Sequence, residues 1–140
     1  QSSLTRTLTA VHCPGSHWFF NHPSFPIDQL EALGIRIALG TDSLASNRSL
    51  SMFREMRLLA ERRPDIHPSR ILQMATANAG AALGLDGMLG ILAPGALADL
   101  ISIPFAGREG DALEAILENR SPVPWMMLDG TRSIGPRASA

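Results

Sequence analysis

The sequence predicts a mixed α/β chain whose first 89 residues are α/β and whose remainder is β-rich, and three observations predict it. Two short apolar runs, 8–13 and 35–39, have strand length and are too brief for helices. A helix-type segment lies between them, so strand, loop, helix and strand form one βαβ unit, which implies neighbouring parallel strands. After residue 90, short runs divided by Pro and Gly turns replace the helical periodicity.

Taken in order, residues 1–7 are polar and carry no structural signal. Leu-Thr-Ala-Val-His-Cys at 8–13 reads as a strand stopped by the breaker pair Pro14-Gly15. Residues 16–23, Ser-His-Trp-Phe-Phe-Asn-His-Pro, read as a loop that holds two of the four histidines. Pro26 suits the first turn of a helix reaching Leu33, and Gly34 suits its C-terminal stop. The strand at 35–39 ends at Gly40, where the chain can bend, and Thr41-Asp42-Ser43-Leu44-Ala45-Ser46-Asn47 follows. Ser46, Asn47 and Ser49 are N-cap types ahead of a helix over 49–62, in which Leu50, Phe53, Met56 and Leu59/Ala60 recur at helical spacing. Pro64 ends that helix. His67-Pro68 opens another, expected to run unbroken with Ile71, Met74/Ala75, Asn78/Ala79 and Ala82 on a narrow stripe, closed by Gly84 and Gly87. Beyond it come a turn at 92–95, a strand at 98–103, an amphipathic helix at 111–119 and a strand at 123–128. Asp129-Gly130 is a type I′ hairpin signal leading into a strand at 131–134.

Composition narrows the function classes. With 12 basic and 13 acidic residues the net charge is −1, so no field draws the chain to nucleic acid or an anionic membrane. Gly, Pro or a charge interrupts every apolar run before it reaches membrane-spanning length. The single cysteine, Cys13, excludes an intramolecular disulfide and fits a reducing cytoplasm. A cytoplasmic protein without a nucleic-acid or membrane partner is expected. Two parallel strands cannot make a covered sheet by themselves, because parallel sheets are buried on both faces. Together with a start at Gln1 rather than a methionine, this leads us to expect the C-terminal piece of something larger.

The chemistry centres on Asp42. A carboxylate at the C-terminal end of a buried strand, ahead of a loop and helix, stands where α/β enzymes place catalytic groups; the competing reading is a loop cap or a partner for an arginine. Ser43 and Ser46 lie beside it without a base partner that would mark a nucleophile, so capping is their default role. His12 reads as a satisfied strand residue, His67 as structural, and Cys13, without a sign of thiolate activation, as packing. His17 and His22 lack the i,i+4 helical spacing of a zincin pair and are not read as metal ligands. Trp18, Phe19 and Phe20 can stack on a planar heterocycle or plug the loop.

Five motifs in order carry a family resemblance over about 11–105. Cys13-Pro14-Gly15-Ser16-His17, then Ala38-Leu39-Gly40-Thr41-Asp42-Ser43 with Ser46-Asn47, resemble the Cys-Pro-x-Ser-Asn/His and Gly-Thr-Asp-Ser segments of the amidohydrolase superfamily, in its cytosine-deaminase-like and chlorohydrolase-like branch. Glu55-Met56-Arg57 resembles the Glu-Met-Arg helix of those enzymes, and Met74-Ala75-Thr76-Ala77-Asn78 through Ala82-Leu83-Gly84-Leu85 their Ala-Thr-x-Asn…Ala-x-x-Leu-Gly helix. Gly90-Ile91-Leu92-Ala93-Pro94-Gly95-Ala96-Leu97-Ala98-Asp99-Leu100 is similar to their Gly-x-Leu-x-Pro-Gly-x-x-Ala-Asp-Leu turn and strand.

The resemblance implies the C-terminal part of a (β/α)8 TIM-type barrel over 1–89, contributing the last two βα units, and the C-terminal strands of a small β-sandwich over 90–140. It implies one divalent metal, zinc first with iron or manganese as alternatives, and makes Asp42 both a metal ligand and the acceptor of a proton from a metal-activated water. The other ligands, a His-x-His pair and two further histidines, belong by resemblance to earlier strands that this chain lacks, so the fragment needs those N-terminal barrel residues and is expected to be inactive alone. Ser16, His17, Trp18, His22 and Ser43 are the expected substrate-binding residues, and Asp99 falls in the sandwich, away from chemistry. The implied reaction is hydrolytic deamination of an aminated purine or nucleoside-like heterocycle, an adenosine-like nucleoside of the aminodeoxyfutalosine type included. The alternatives are a chlorohydrolase or cyclic-amide hydrolase using the same site, or a non-catalytic barrel scaffold that has lost its ligands. Homo-oligomerisation is left open.

Overall fold

A computed structural model describes residues 8–134; the outer ends of the two expected units, 1–7 and 135–140, lie outside the described residues. Strand β1 (Thr9–His12) pairs in parallel with β2 (Arg36–Leu39), Thr9 opposite Arg36 and His12 opposite Leu39. Parallel neighbours require a crossover. Here it consists of two short helices, α1 (Pro14–Phe19) and α2 (Ile27–Ala32), joined by an extended segment. The expected breaker and loop after residue 13 are therefore corrected. Pro14 sits in the first turn of α1, where its missing N–H is no loss and its fixed φ suits the helix. Gly34, at φ +76°, ends the α2 turn as expected.

After β2 the chain runs irregularly to α3 (Met52–Arg62), whose N-cap is Ser51, its hydroxyl accepting from the Arg54 amide at 3.4 Å. Ser46, Asn47 and Ser49 do not cap it. The first two are engaged around Asp42, as described below, and the buried Ser49 hydroxyl has no partner. The single helix expected from Pro68 is two, α4 (Pro68–Ala75) and α5 (Ala77–Ala82). Thr76 breaks it at φ −123° and ψ −90°, with its hydroxyl donating to the Leu72 carbonyl at 2.8 Å. A threonine hydroxyl that bonds back one turn competes with the backbone ladder in this way. The stripe reading survives in part: Ile71 and Met74 are buried, and the Asn78 amide donates to the Ile37 carbonyl at 2.7 Å, fastening α5 to β2.

Beyond residue 90, β3 (Leu100–Ser102), β4 (Trp125–Leu128) and β5 (Thr131–Ile134) form an antiparallel sheet in the order β3-β4-β5. Asp129 and Gly130 have φ of +46° and +72°, the conformation that a type I′ turn demands. Helix α6 (Ala112–Glu118) packs on α3 and α4, and its Leu117 joins Ile27, Ile37, Leu39, Met56, Leu59, Ile66, Ile71 and Met74 in one buried cluster. Arg57 donates to the carbonyls of Leu117 and Asn119 at 3.3 and 3.0 Å, satisfying the end of α6 from the side of α3. Among the described residues no helix is long and apolar enough to cross a membrane.

Candidate active site

The C-terminal ends of β1 and β2 lie side by side, so the residues that follow them meet. Leaving β2, Gly40 passes so close to β1 that a Cβ there would stand 2.8 Å from Val11 Cγ1 and 3.2 Å from Cys13 Sγ. Two residues later Asp42 has φ +55°. Non-glycine residues rarely adopt this left-handed conformation, and aspartate tolerates it better than most. Such strain persists where the surroundings over-determine it, and it concentrates at functional positions.

The surroundings of Asp42 are two hydroxyls. Ser16, in the first turn of α1, donates to Asp42 Oδ2 at 2.7 Å, and Ser46 donates to the same oxygen at 2.6 Å. The two serine oxygens stand 3.0 Å apart. Hydroxyl donors stabilise the ionised form: Ser46 first, then Ser16, hold the Asp42 carboxyl below its ordinary value, helped by the Ser43 amide. Both serines are buried, while Asp42 itself is exposed. The result is an anchored, ionised carboxylate at the open end of a parallel strand pair.

A further carboxylate supports this group from below. Glu55, on α3, is completely buried (0 % exposed). Its Oε2 accepts from the Gly15 amide at 2.7 Å and its Oε1 from the Asn47 side-chain amide at 2.8 Å. The Asn47 amide also donates to the Thr41 carbonyl at 2.8 Å, and the Asn47 oxygen accepts from Arg54 at 2.6 Å. Gly15 must be glycine, because a Cβ would fall 2.6 Å from both Asn47 side-chain atoms and 2.7 Å from Glu55 Oε1. Sequence reasoning placed Glu55 in a motif without a role, and gave Ser46 and Asn47, although part of the Asp42 motif, capping as their default duty. One signal was available for Glu55: it stands with Met52, Met56 and Leu59 at the spacing of the buried stripe of α3, where an acidic residue needs a reason.

The aromatic and imidazole residues gather elsewhere. His17, Trp18 and His22 line a cavity of about 430 Å³ with His12, Phe25, Arg62 and Arg63, and Asp42 is not among its lining residues. His17 Nε2 donates to the Pro23 carbonyl at 2.5 Å, and the Arg62 guanidinium lies 4.6 Å from the centre of the Trp18 ring. His12 stacks on Phe25 at 4.3 Å, and burial, with repulsion from His17, lowers its pKa to about 4, so it is neutral at pH 7. A second cavity, of about 290 Å³, is lined by Gly15, Trp18, Phe19, Ser46, Asn47, Arg48 and Arg54, so Trp18 faces both. Ser43 is exposed next to Asp42. Burial, with the charges of Asp42 and Glu55, pushes the Cys13 thiol up, so it remains protonated and unreactive. The structure thus brings Ser16, Ser43 and Ser46 to Asp42 and sets His17, His22 and most of Trp18 on the flank of α1.

No group of three or more His, Cys, Asp or Glu side chains able to hold a metal occurs among the described residues. Asp42 nonetheless fits one position in the coordination sphere of a divalent cation. It is an ionised oxygen donor, exposed, with both side-chain hydrogen bonds on a single oxygen.

Comparison with known proteins places this geometry. A 5-methylthioadenosine/S-adenosylhomocysteine deaminase of Pyrococcus furiosus is 42% identical over 102 residues, which cover 68% of this chain and 24% of the relative. The chain therefore spans about a quarter of the length of that relative. In three dimensions it is similar to an adenosine deaminase from Xanthomonas campestris with bound zinc, at 26% identity and a TM-score of 0.75, covering 91% of this chain and 32% of the other. It is also similar to the aminofutalosine deaminase of Helicobacter pylori, at 25% identity and a TM-score of 0.78, covering 89% and 32%. The amidohydrolase profile matches residues 4–126, and the chain belongs to the amidohydrolase family.

Proposed function

We propose that this chain is the C-terminal part of a metal-dependent deaminase acting on an adenosine-type substrate, with Asp42 as a metal ligand and proton carrier. The observation that carries the proposal is the carboxylate of Asp42, strained at φ +55° at the end of a parallel strand and fixed by the Ser16 and Ser46 hydroxyls. In this reading β1 and β2, with their helices, are the last two βα units of a (β/α)8 barrel, and β3 to β5 are the C-terminal share of a small sandwich, the division falling near residue 89. The parallel pairing and the deaminase neighbours support it. The remaining ligands, a His-x-His pair and two histidines, would come from upstream strands. Zinc is the first choice of metal, because the Xanthomonas adenosine deaminase carries it.

Hydrolytic deamination adds water to the ring carbon bearing the amino group, forms a C–O bond, breaks the C–N bond and releases ammonia. A divalent cation, when bound, lowers the pKa of water towards neutrality. Asp42 accepts a proton from the attacking water and returns it to the departing nitrogen. A carboxylate held ionised and immobile is suited to the first half of that task. Ser16 and Ser46 keep its Oδ2 in place. Ser43, exposed beside Asp42, is available for contact with substrate, and Trp18, His17 and His22 are the groups of the α1 segment available to a planar base. The similarity to deaminases named for methylthioadenosine and S-adenosylhomocysteine directs the choice of substrate.

The test is Asp42→Asn in the intact protein, with ammonia release from methylthioadenosine as the assay. Loss of turnover by about 10²–10⁴-fold, with an unchanged melting transition, is the expected result. Near-normal turnover would show the assignment to be wrong.

A further inference from the structure

A fully buried carboxylate is costly unless both oxygens are partnered, and residues with that cost are seldom mere filling. Glu55 is 0 % exposed, and its neighbouring guanidinium, Arg54, stands 3.5 Å from Oε1. The destinations of its bonds give the reason for its burial. Gly15, which donates to Oε2, is the residue before Ser16. Asn47, which donates to Oε1, is the residue after Ser46, and its amide also holds the carbonyl of Thr41, the residue before Asp42. One carboxylate thereby holds the backbone beside Ser16 and the side chain of the residue beside Ser46, and through that Asn47 amide it is linked to the backbone beside Asp42.

We propose that Glu55 is a positioning residue for Asp42: working through Gly15 and Asn47, it holds the two serines and the strained loop in the register that presents the carboxylate. The proposal rests on the reading of Asp42 given above. Glu55 touches neither substrate nor metal, and its contribution is geometric. Both of its partners are donors, so both of its oxygens must accept. Glutamine has the same volume but offers one acceptor and one donor, and the –NH₂ group would then face either the Gly15 amide or the Asn47 amide. An isosteric change therefore disturbs the network, whereas a packing role would be indifferent to it.

The experiment compares Glu55→Gln with wild type in the intact protein, reading kcat and KM for methylthioadenosine, zinc affinity by chelator competition, and thermal melting. Groups that orient a metal ligand typically change activity or affinity by about 10–100-fold when altered. Glu55→Gln is expected to lower kcat and zinc affinity by about that factor, leaving KM close to wild type. The double variant Glu55→Gln/Asn47→Asp also loses the donor to the Thr41 carbonyl, so both changes fall on one network and its loss of kcat is less than the sum of the single losses; fully additive losses would overturn the proposal. So would a folded Glu55→Gln protein with wild-type kcat and zinc affinity. Should Glu55→Gln not fold, Asn47→Ser, which removes the bonds to Oε1, the Thr41 carbonyl and Arg54 and leaves Glu55 in place, is read against the same expectations. Asp42→Asn, measured alongside, separates the two readings. An inactive Asp42 variant with an unimpaired Glu55 variant removes only the positioning role, while an active Asp42 variant removes both.

Discussion

Protonation of His12 works against the fold. Its ring is buried against Phe25 and faces the His17 ring at 5.2 Å, with His22, Arg62 and Arg63 lining the same cavity, so a new charge would find only like charges there. Burial and His17 lower its pKa from 6.5 to about 4. Between these values the unfolded chain binds more proton than the folded one, so stability rises with pH across that window. It is fully retained above about pH 6.5, falls as the pH drops towards 4, and changes no further below that. The shift corresponds to a loss on the order of 3 kcal/mol across the window. Urea midpoints measured from pH 7 to pH 4.5 should therefore decline, and His12→Phe should remove most of that decline. An unchanged slope in His12→Phe would refute the assignment. Asp42 contributes in the same direction, because its Ser46 and Ser16 bonds hold the carboxyl low and its stabilisation disappears as it protonates.

The break between α4 and α5 gives a matched pair of substitutions. Gly84 and Gly90 have nearly equal φ, +78° and +76°, but a Cβ on Gly84 would meet nothing within 4 Å while one on Gly90 would lie 2.4 Å from the Thr76 carbonyl. Alanine at either position incurs the left-handed penalty of about 1–2 kcal/mol. At Gly90 it must also push on the backbone of the break, adding about 1–3 kcal/mol of overpacking. Denaturant midpoints should place Gly90→Ala clearly below Gly84→Ala; equal midpoints would mean that the contact with Thr76 is unimportant. This break also marks what the sequence could and could not disclose. The parallel strands, the hairpin at Asp129-Gly130 and the helix over 52–62 were legible, because each follows from local periodicity or turn chemistry. The break at Thr76 was not, since a threonine inside a helical stripe declares itself only when Gly90 comes to lie against it. Pro14-Gly15 misled for the same reason: a proline and glycine together resemble a turn until Glu55, forty residues away, supplies the partner for the Gly15 amide. In the candidate site, residue type and motif drew attention to Asp42 and Ser16, but not to the hydrogen bond that joins them. Glu55 showed only as an acidic residue on the buried stripe of α3, and its bonds to Gly15 and Asn47 come from tertiary contact rather than from a local pattern.

At the scale of the whole molecule, the parallel sheet of the described residues consists of two strands. Among the described residues β1 and β2 pair only with each other, so each strand has one edge without a backbone partner. Val11, in the middle of β1, is 56% exposed, and Leu8 and Leu50 are exposed as well. Parallel strands are ordinarily covered on both faces and seldom persist as a pair. In the reading proposed above, upstream barrel strands cover those edges, in keeping with a span of about a quarter of the Pyrococcus relative. The consequence for the isolated 140-residue chain is definite. Its helices and the antiparallel sheet of β3, β4 and β5 should form, but the exposed parallel pair should bind a hydrophobic dye and associate at micromolar concentration, with loss of order around Asp42. With one carboxylate for a site that needs three or four ligands, it should hold zinc no more tightly than its Asp42→Asn variant does. Adding the upstream part of the intact protein as a separate chain should abolish dye binding and create a zinc site that Asp42→Asn weakens. Dye exclusion and metal-dependent ammonia release by the isolated chain alone would contradict the argument, because the strands, and the ligands they carry, would then not be required.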